Sequence, residues 1–434
     1  MSESFYYMPD REPTASEERI IDDLDAVLPG EVDRRKFLHG TAATIGAAMF
    51  AGCSGDGGGG GDGNSGGSTP TEASGDGGST STEANGFMDE TEAVFTTPWK
   101  IEPSWGHTHV AEGRGYWEDA GVPNIDGVRG NGSDTESQNI GTGNKPMGIA
   151  SMTTALSVYP ETDNTEALDM SMVGLARGRP LLSLIWRKDM MEDRGDIAGK
   201  TILAASGFAA ATIQVYPNLV GVDPSDVTLQ EGTEEVAAPR LANGEVAAVW
   251  GSIDLLPVYQ EEVDAELGVT PLTAFGGFPG FPIWVNNSWY ENKGNAPEFM
   301  GQVMTGYFKA MKWGLLNQSA FLDYLKNEVN QNLQTWTEEE LTGQHEVNCA
   351  QAVTLDMKDE GLGYFTEDGV ANVLENAGPA LVDNPDALPS ASEMVISEPW
   401  ENTEKVTFTD EEWNQLGETA GMVWDLFEEA ESGN

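Results

Sequence analysis

An α/β protein of two lobes with a helical region behind them is predicted by three features of the chain. From Val94 to about Val285, short apolar runs alternate with longer mixed segments, the pattern of strands and helices that build parallel sheets. About 340 residues follow the low-complexity segment that ends near residue 92, more than one α/β unit commonly holds. From Pro297 onward, apolar residues recur at helical spacing.

The predicted strands are Ala93–Thr97, Met147–Ala150, Met170–Ala176, Leu181–Trp186, Thr201–Ala205, Ala247–Trp250 and Pro282–Val285, with helical stretches between several of them. Pro297 suits the first turn of a helix, where its missing N–H costs nothing. Phe299, Val303, Tyr307, Met311 and Leu315 then recur every four residues, with Met300, Met304 and Phe308 beside them. That is one apolar helix face, read as core rather than as a methionine-rich docking groove. Thr337 with Glu340, and Thr409 with Glu412, have the spacing of capping boxes. Behind the second, Trp413, Leu416, Ala420, Val423 and Phe427 make a 3-4-3-4 stripe on one predicted helix. This region is expected to pack back on the first lobe.

The chain holds 22 Lys+Arg and 72 Asp+Glu, a formal charge of −50. Residues 1–52 carry 10 acids and 5 bases, which leaves 72−10=62 and 22−5=17 beyond them, a charge near −45. Such a surface repels nucleic acid and anionic lipid, so neither is expected as a partner. The acids are dispersed rather than gathered in a tail, and 12 Trp, 15 Phe and 10 Tyr accompany them; those rings build a core, so this is not a disordered composition. Dispersed acid with scarce Lys is the pattern of proteins that stay hydrated in high salt, and it points to an extreme halophile, an archaeon.

Near the N-terminus, Asp33-Arg34-Arg35-Lys36-Phe37-Leu38 precedes a weakly apolar run that ends in Phe50-Ala51-Gly52-Cys53. Arg34 and Arg35 before a short apolar segment read as a twin-arginine export signal. Small residues leading to Cys53, with Gly, Ser, Thr and acids behind, read as a lipoprotein processing site, with Phe50 in place of the usual Leu. The run from Thr41 to Gly52 is 12 residues, too short for a spanning helix of about 20. Residues 53–92 form a flexible tether, which lets the folded part range about 30 Å from its anchor. The expected location is the outer face of the cytoplasmic membrane, lipid-anchored.

The chain has two cysteines. With Cys53 taken by the lipid, Cys349 stands alone, so no intramolecular disulfide is expected and Cys349 reads as a small buried residue. Sequons occur at Asn131, Asn286 and Asn317. His107 and His109 form an H-x-H pair that would share a face on a strand; on a helix they diverge, so no metal is expected and one of them lines a cleft. No cofactor motif is present.

Five segments resemble the solute-binding proteins of nitrate/sulfonate/taurine-type importers, a superfamily that includes binders of the thiamine pyrimidine precursor. They are His107–Ala111 with Gly115-Tyr116-Trp117 and Ala120-Gly121; Pro146-Met147-Gly148-Ile149-Ala150-Ser151; Asp196-Ile197-Ala198-Gly199-Lys200-Thr201-Ile202; Gly221–Val227; and Leu241-Ala242-Asn243-Gly244-Glu245-Val246-Ala247-Ala248. Ala247 stands where the family usually has Asp. The resemblance runs from Val94 to about Leu325. It implies a two-lobed periplasmic-binding-protein fold (type II-like) with ligand closed between the lobes. Lobe 1 would hold 93–184 plus 276–330 and lobe 2 would hold 185–275, with 331–434 a helical C-terminal extension on lobe 1.

In parallel α/β lobes, ligands sit beyond the carboxyl ends of strands, where helix N-termini present free N–H groups. That rule selects Trp99 and Lys100, with Ser104 and Trp105 behind; Ser151 and Thr153; Ser206 and Phe208, with Thr212 in the next helix; and Ser252 and Asp254. Trp99, Trp250 and Phe278 are the candidate aromatic walls, and His107 the candidate histidine. Lys100 is the only base in these loops; Arg177 and Arg179 flank the first crossing and would have to reach in to serve an anion. Richer in Trp and Phe than in Arg, the site suits a flat heterocycle, such as a thiamine-type pyrimidine, as well as it suits an organic sulfonate.

The expected function is therefore an extracytoplasmic substrate-binding protein, a monomer without a cofactor, that delivers a small solute to ABC permease and ATPase subunits. A surface or sensory protein without an importer is one alternative. An enzyme like the pyrimidine synthases of the same superfamily is another, but those carry a cysteine-rich motif that this chain lacks.

Overall fold

The computed structural model describes residues 94–160, 167–205, 207–275, 278–382 and 384–432. Arg34, Arg35, Cys53 and Ser206 lie outside the described residues, as do the side chains of Phe208 and Asp254.

In the first lobe, β1 (Val94–Thr96), β2 (Asp126–Val128), β3 (Met147–Ile149) and β4 (Met170–Arg177) alternate with α1 (His107–Gly113), α2 (Ser133–Gly141) and α3 (Met152–Val158). The second lobe holds β5 (Leu182–Arg187), β6 (Thr201–Ala204), β7 (Thr228–Glu231), β8 (Ala248–Ser252) and β9 (Leu267–Pro271), with α4 (Gly207–Thr212) and α5 (Glu234–Ala242). The chain then returns through β10 (Phe281–Asn286).

The two sheets have the same plan. Sheet one runs β2-β1-β3-β10-β4 and sheet two runs β7-β6-β8-β5-β9. In each, three parallel strands are followed by an antiparallel strand that has just crossed from the other lobe: β10 pairs with β3 and β4, and β5 with β8 and β9. Both inserted strands are nearly continuous apolar runs because both faces are covered. Pro282 is tolerated inside β10 where the register slips between Phe281 and Pro282.

The seven strands read from the sequence are all present. Three more, β2, β7 and β9, were not read; each is an edge strand of at most five residues, and β2 and β7 are largely solvent-facing, so no apolar run marks them. The change of lobe falls at 178–181, so the expected boundary at 184/185 lies inside β5. At the hinge the two crossings bond to each other: the Gly280 N–H donates to the Gly178 carbonyl at 3.1 Å. Gly280 approaches so closely that a Cβ there would lie 2.5 Å from the Arg179 carbonyl oxygen.

Helix α6 (Ala296–Leu316) has Pro297 in its first turn and buries Phe299, Met300, Val303, Met304, Tyr307, Phe308, Met311 and Leu315, the apolar face read from the sequence. It packs against α1, and the Trp117 indole N–H donates to the Val303 carbonyl at 3.0 Å.

The extension contains α7 (Glu338–Ala352), α8 (Glu367–Asn376), α9 (Gly378–Leu381), α10 (Asp410–Ala420) and α11 (Met422–Ser432). Both capping boxes form, Thr337 with Glu340 and Thr409 with Glu412. The stripe from Trp413 to Phe427 is buried, but it spans two helices rather than one. Gly421, at φ 55°, takes a conformation that breaks the helix between Ala420 and Met422.

The extension also covers more than expected. On lobe 1 it satisfies the open edge of β4: Leu175 N–H donates to Gly363, and Ile396 N–H to Met172. Just past β4, Gly178 and Arg179 donate to Ala352 and Gln351. On lobe 2, α11 packs against β9 and the turn Leu272–Phe275, and the Asn372 amide in α8 donates to the Phe275 carbonyl at 3.1 Å. The extension thus packs on lobe 1, where it was expected, and reaches lobe 2 as well. Sheet two also has an edge strand to cover, β9, and α11 covers it.

Candidate functional site

A cavity of about 650 Å³ opens between the lobes, within the range usual for small-molecule sites. Beyond β1 the chain turns at Thr97-Pro98-Trp99, where the Thr97 hydroxyl donates to the Trp99 carbonyl and Gly132 N–H donates to the Pro98 carbonyl. This places Trp99 on the lining with 41% of its surface exposed. Trp105 lies deeper, edge-on to Phe281 at 4.9 Å, and both rings line the cavity. The first turns of α2 and α3 contribute Ser133, Asp134, Thr153 and Thr154. Ser151, the N-cap of α3, donates its N–H to the Ser133 hydroxyl at 3.0 Å, and its own hydroxyl lies 3.2 Å from that of Thr153.

Lobe 2 supplies Thr212, Glu234 and Ser252, the hinge supplies Leu181 and Leu182, and the extension supplies Leu381 from α9. Strand pairing sets part of this geometry, since Leu182 stands opposite Ser252 in the β5–β8 ladder. The Thr212 hydroxyl is fixed from behind, accepting the Trp250 indole N–H at 3.1 Å and donating to the Ala209 carbonyl at 3.2 Å.

The charged residues of the lining are Glu102, Asp134 and Glu234; neither Lys nor Arg is among them. Asp134 and Glu234 stand in the first turns of α2 and α5, where their carboxylates complement the positive helix ends that would otherwise attract an anion. Arg177, fully buried, stacks its guanidinium over Trp105 at 4.0 Å. It donates to the carbonyl of Ser104 and to the side-chain carbonyls of Gln351 and Asn348. Burial pushes this guanidinium down to about 10. Arg179 is fully buried too and faces Glu431 of the extension. Neither arginine is on the cavity lining.

Of the residues selected from the sequence, Trp99, Ser151, Thr153 and Ser252 come together on the cavity wall, with Trp105 and Thr212 of the same loops. Lys100 is exposed beside Trp99, its ammonium 5.5 Å from that ring, and is not on the lining. Three placements are corrected. Trp250 is wholly buried against Tyr216 at 5.2 Å, because β8 is an inner strand with a hydrophobic core on each face. Phe278 is buried in the core cluster where the second crossing passes behind the cleft. His107 faces inward from α1 and stacks on Phe321 at 4.8 Å. Burial, with Arg177 and His345 nearby, holds its imidazole well below the usual range.

His109 diverges from His107, as expected on a helix, and comes within 3.9 Å of Glu112. No group of three or more metal-ligating side chains exists among the described residues. Cys349 is buried, and burial pushes its thiol far up, so it is held as a neutral thiol. The sequence rule missed Glu102, Asp134, Glu234, Phe281 and Leu381. Asp134 and Glu234 follow the unread strands β2 and β7, and Leu381 lies in a region the rule does not address.

Two α/β lobes on a two-stranded hinge, closed around one cleft, define a periplasmic-binding-protein fold. Residues 103–313 match the family model described as NMT1/THI5 like. The fold is similar to that of a solved putative periplasmic sulfonate-binding protein from Methylobacillus flagellatus, at 11% identity over 73% of this chain and 98% of that one, with a TM-score of 0.50. The periplasmic nitrate-binding protein of Synechocystis matches at 9% identity over 78% and 91%, TM-score 0.46. The desulfurization enzyme DSZB matches at 12% identity over 71% and 98%, TM-score 0.43. No curated protein sequence matches the chain.

Proposed function

We propose that this protein captures a small organic solute between its lobes at the outer face of the cytoplasmic membrane and delivers it to an ABC importer. One observation carries the reading: the 650 Å³ cleft is walled by both lobes and by the hinge between them, so a bound solute bridges the two lobes and stabilises the arrangement in which both touch it. Binding of this kind needs no chemistry.

The lining also bears on the class of solute. Three rings and several leucines give it an apolar body, a row of Ser and Thr hydroxyls gives it donors and acceptors, and no base lies on it. A flat or partly apolar organic molecule held by stacking and hydroxyl contacts fits this chemistry. A bare anion such as nitrate would meet three carboxylates and no cation on the walls. Anchorage through Cys53 after twin-arginine export remains the proposed route to the surface.

Native mass spectrometry of protein purified in high salt tests the reading. A bound small molecule that is lost in the Trp105→Ala variant supports it. Retention of that molecule by a Trp99→Ala, Trp105→Ala double variant would place binding elsewhere.

A further inference from the structure

A hinge of two crossing segments leaves two lobes free to rotate about it. Here a third body reaches both. Helix α7 lies along β4 of lobe 1, while α11 lies on β9 of lobe 2, and the two helices touch each other. Leu426 of α11 packs against the main core, which runs through both lobes and the extension, and against the smaller core on the other face of the lobe 2 sheet. On another side, α9 contacts α3 of lobe 1 and α4 of lobe 2, and its Leu381 faces the cleft.

The hinge itself is tied into this body. Arg179, at the crossing, is fully buried and gives Glu431 of α11 two hydrogen bonds, at 2.6 and 2.8 Å. It gives a third to the Ala350 carbonyl of α7 at 2.8 Å, and its guanidinium lies over the rings of Trp424 and Phe427. Glu431 also accepts the Leu355 N–H at 3.1 Å. One ion pair therefore joins the crossing segment, α7 and α11.

We propose that the C-terminal extension is a third interlobe connection, which holds the lobes near one angle and keeps the cleft preformed before solute arrives. This goes beyond solute capture, which the two crossings alone would permit. A second cavity, of about 410 Å³, lies where the hinge (Gly178, Pro279), lobe 2 (Thr273) and the extension (Asp356, Tyr364, Glu431) meet. Its walls belong to three bodies, so it gives the lobes room for a small rotation without breaking the tie.

Electron–electron distance measurements test the proposal. Nitroxides are placed at Gln138→Cys on α2 and Glu235→Cys on α5, both exposed, in the full chain with Cys53→Ser; Cys349 is buried and stays unlabelled. The otherwise wild-type chain should give one narrow distance distribution without solute. Glu431→Gln and, separately, Leu426→Ser should each add a longer population while circular dichroism and cooperative melting show an intact fold. A broad or two-peaked distribution in the otherwise wild-type chain overturns the proposal. So does a narrow, unchanged one in both folded variants. Should Glu431→Gln fail to fold, Leu426→Ser and the parent distribution decide. Solute capture stands or falls separately, on the mass-spectrometric occupancy of the cleft.

Discussion

Arg177 stacks its guanidinium 4.0 Å from the ring centroid of Trp105, and so joins the end of β4 to a ring on the cleft wall. Besides the Ser104 carbonyl, its hydrogen-bond partners are Asn348 and Gln351, on α7 of the extension. A cleft residue is thus positioned by groups far along the chain that never face the cavity.

Arg177→Lys is expected to lose the stack and most of these hydrogen bonds while keeping the charge buried. Removing a desolvated cation–π contact and charged hydrogen bonds should cost roughly 2–4 kcal/mol, read as a lower denaturation midpoint at fixed salt. A midpoint within error of wild type would show that Arg177 does not hold this junction.

Of the three rings expected as cleft walls, the two tryptophans should behave differently. Trp250→Ala opens a cavity in the core of lobe 2 and should cost about 3–5 kcal/mol. It should also release the Thr212 hydroxyl. Trp99→Ala, at an exposed rim, should leave melting without solute near wild type and reduce the solute-induced rise in melting temperature. Early melting of the Trp99 variant alone would reverse these roles.

Stability should fall as pH drops below neutrality, and for a definite reason. His107 and His345 are both buried, and burial lowers both imidazoles. Their folded pKa values lie below the unfolded value near 6.5, so below that pH the unfolded chain binds more protons than the folded one. Stability is whole above about pH 6.5 and is lost as pH falls toward the depressed folded values, by up to about 1.4 kcal/mol per pH unit for each histidine. Burial raises the carboxyls of Glu112 and Glu346, which act in the opposite sense, so the histidine variant isolates the imidazole. Denaturant titrations between pH 7 and 5 at constant KCl should show the loss, and His107→Asn should lessen it. A flat profile in that window would mean these rings titrate normally.

A charge near −45 beyond residue 52 should make folding depend on salt. Screening shortens from about 10 Å at 0.1 M to about 3 Å at 1 M, so carboxylate repulsion relaxes progressively. Melting temperature measured against KCl should climb into the molar range. A plateau reached below 0.2 M would rule out acidity as a stability requirement.

Under the proposed anchorage, replacing Cys53 by Ser should leave export intact and release the protein into the medium, because a lipid on that residue would supply the hold. Lys at positions 34 and 35 should instead keep precursor inside the cell. Fractionation of cells and medium separates the outcomes; a Cys53→Ser protein still on the membrane would point to another anchor.

Much of the architecture was legible because it rests on buried apolar runs. β4, β5, β8 and β10 are marked by their own composition, and α6 by its four-residue spacing. β2 and β7 were not, since an edge strand with solvent on one side needs no apolar run; β9, covered by α11, is a short strand interrupted by Gly268 and Pro271. The site was legible only in part. The strand-end rule found Trp99, Ser151, Thr153 and Ser252, but it could not decide whether a residue points to the cleft or to the core. Trp250 shares its strand face with Ser252, but only Ser252, at the strand end two residues on, reaches the wall; Trp250 lies deeper and holds Thr212 from behind. Leu381 and the partners of Arg177 lay beyond local reasoning, because only tertiary packing brings residues 348–381 to the hinge.

The position of β10 bears on the order in which the molecule assembles. This strand lies inside sheet one, between β3 and β4, yet is made only after all of lobe 2. During synthesis, β4 has no sheet partner until residues 281–286 emerge, whereas every strand of lobe 2 is present once residue 271 is made. Lobe 2 is therefore expected to gain protection from protease first in chains arrested at increasing lengths, with lobe 1 following and the edge of β4 covered last, when the extension is complete. A protein assembled in that order completes the lobe it began first only after the lobe it began second.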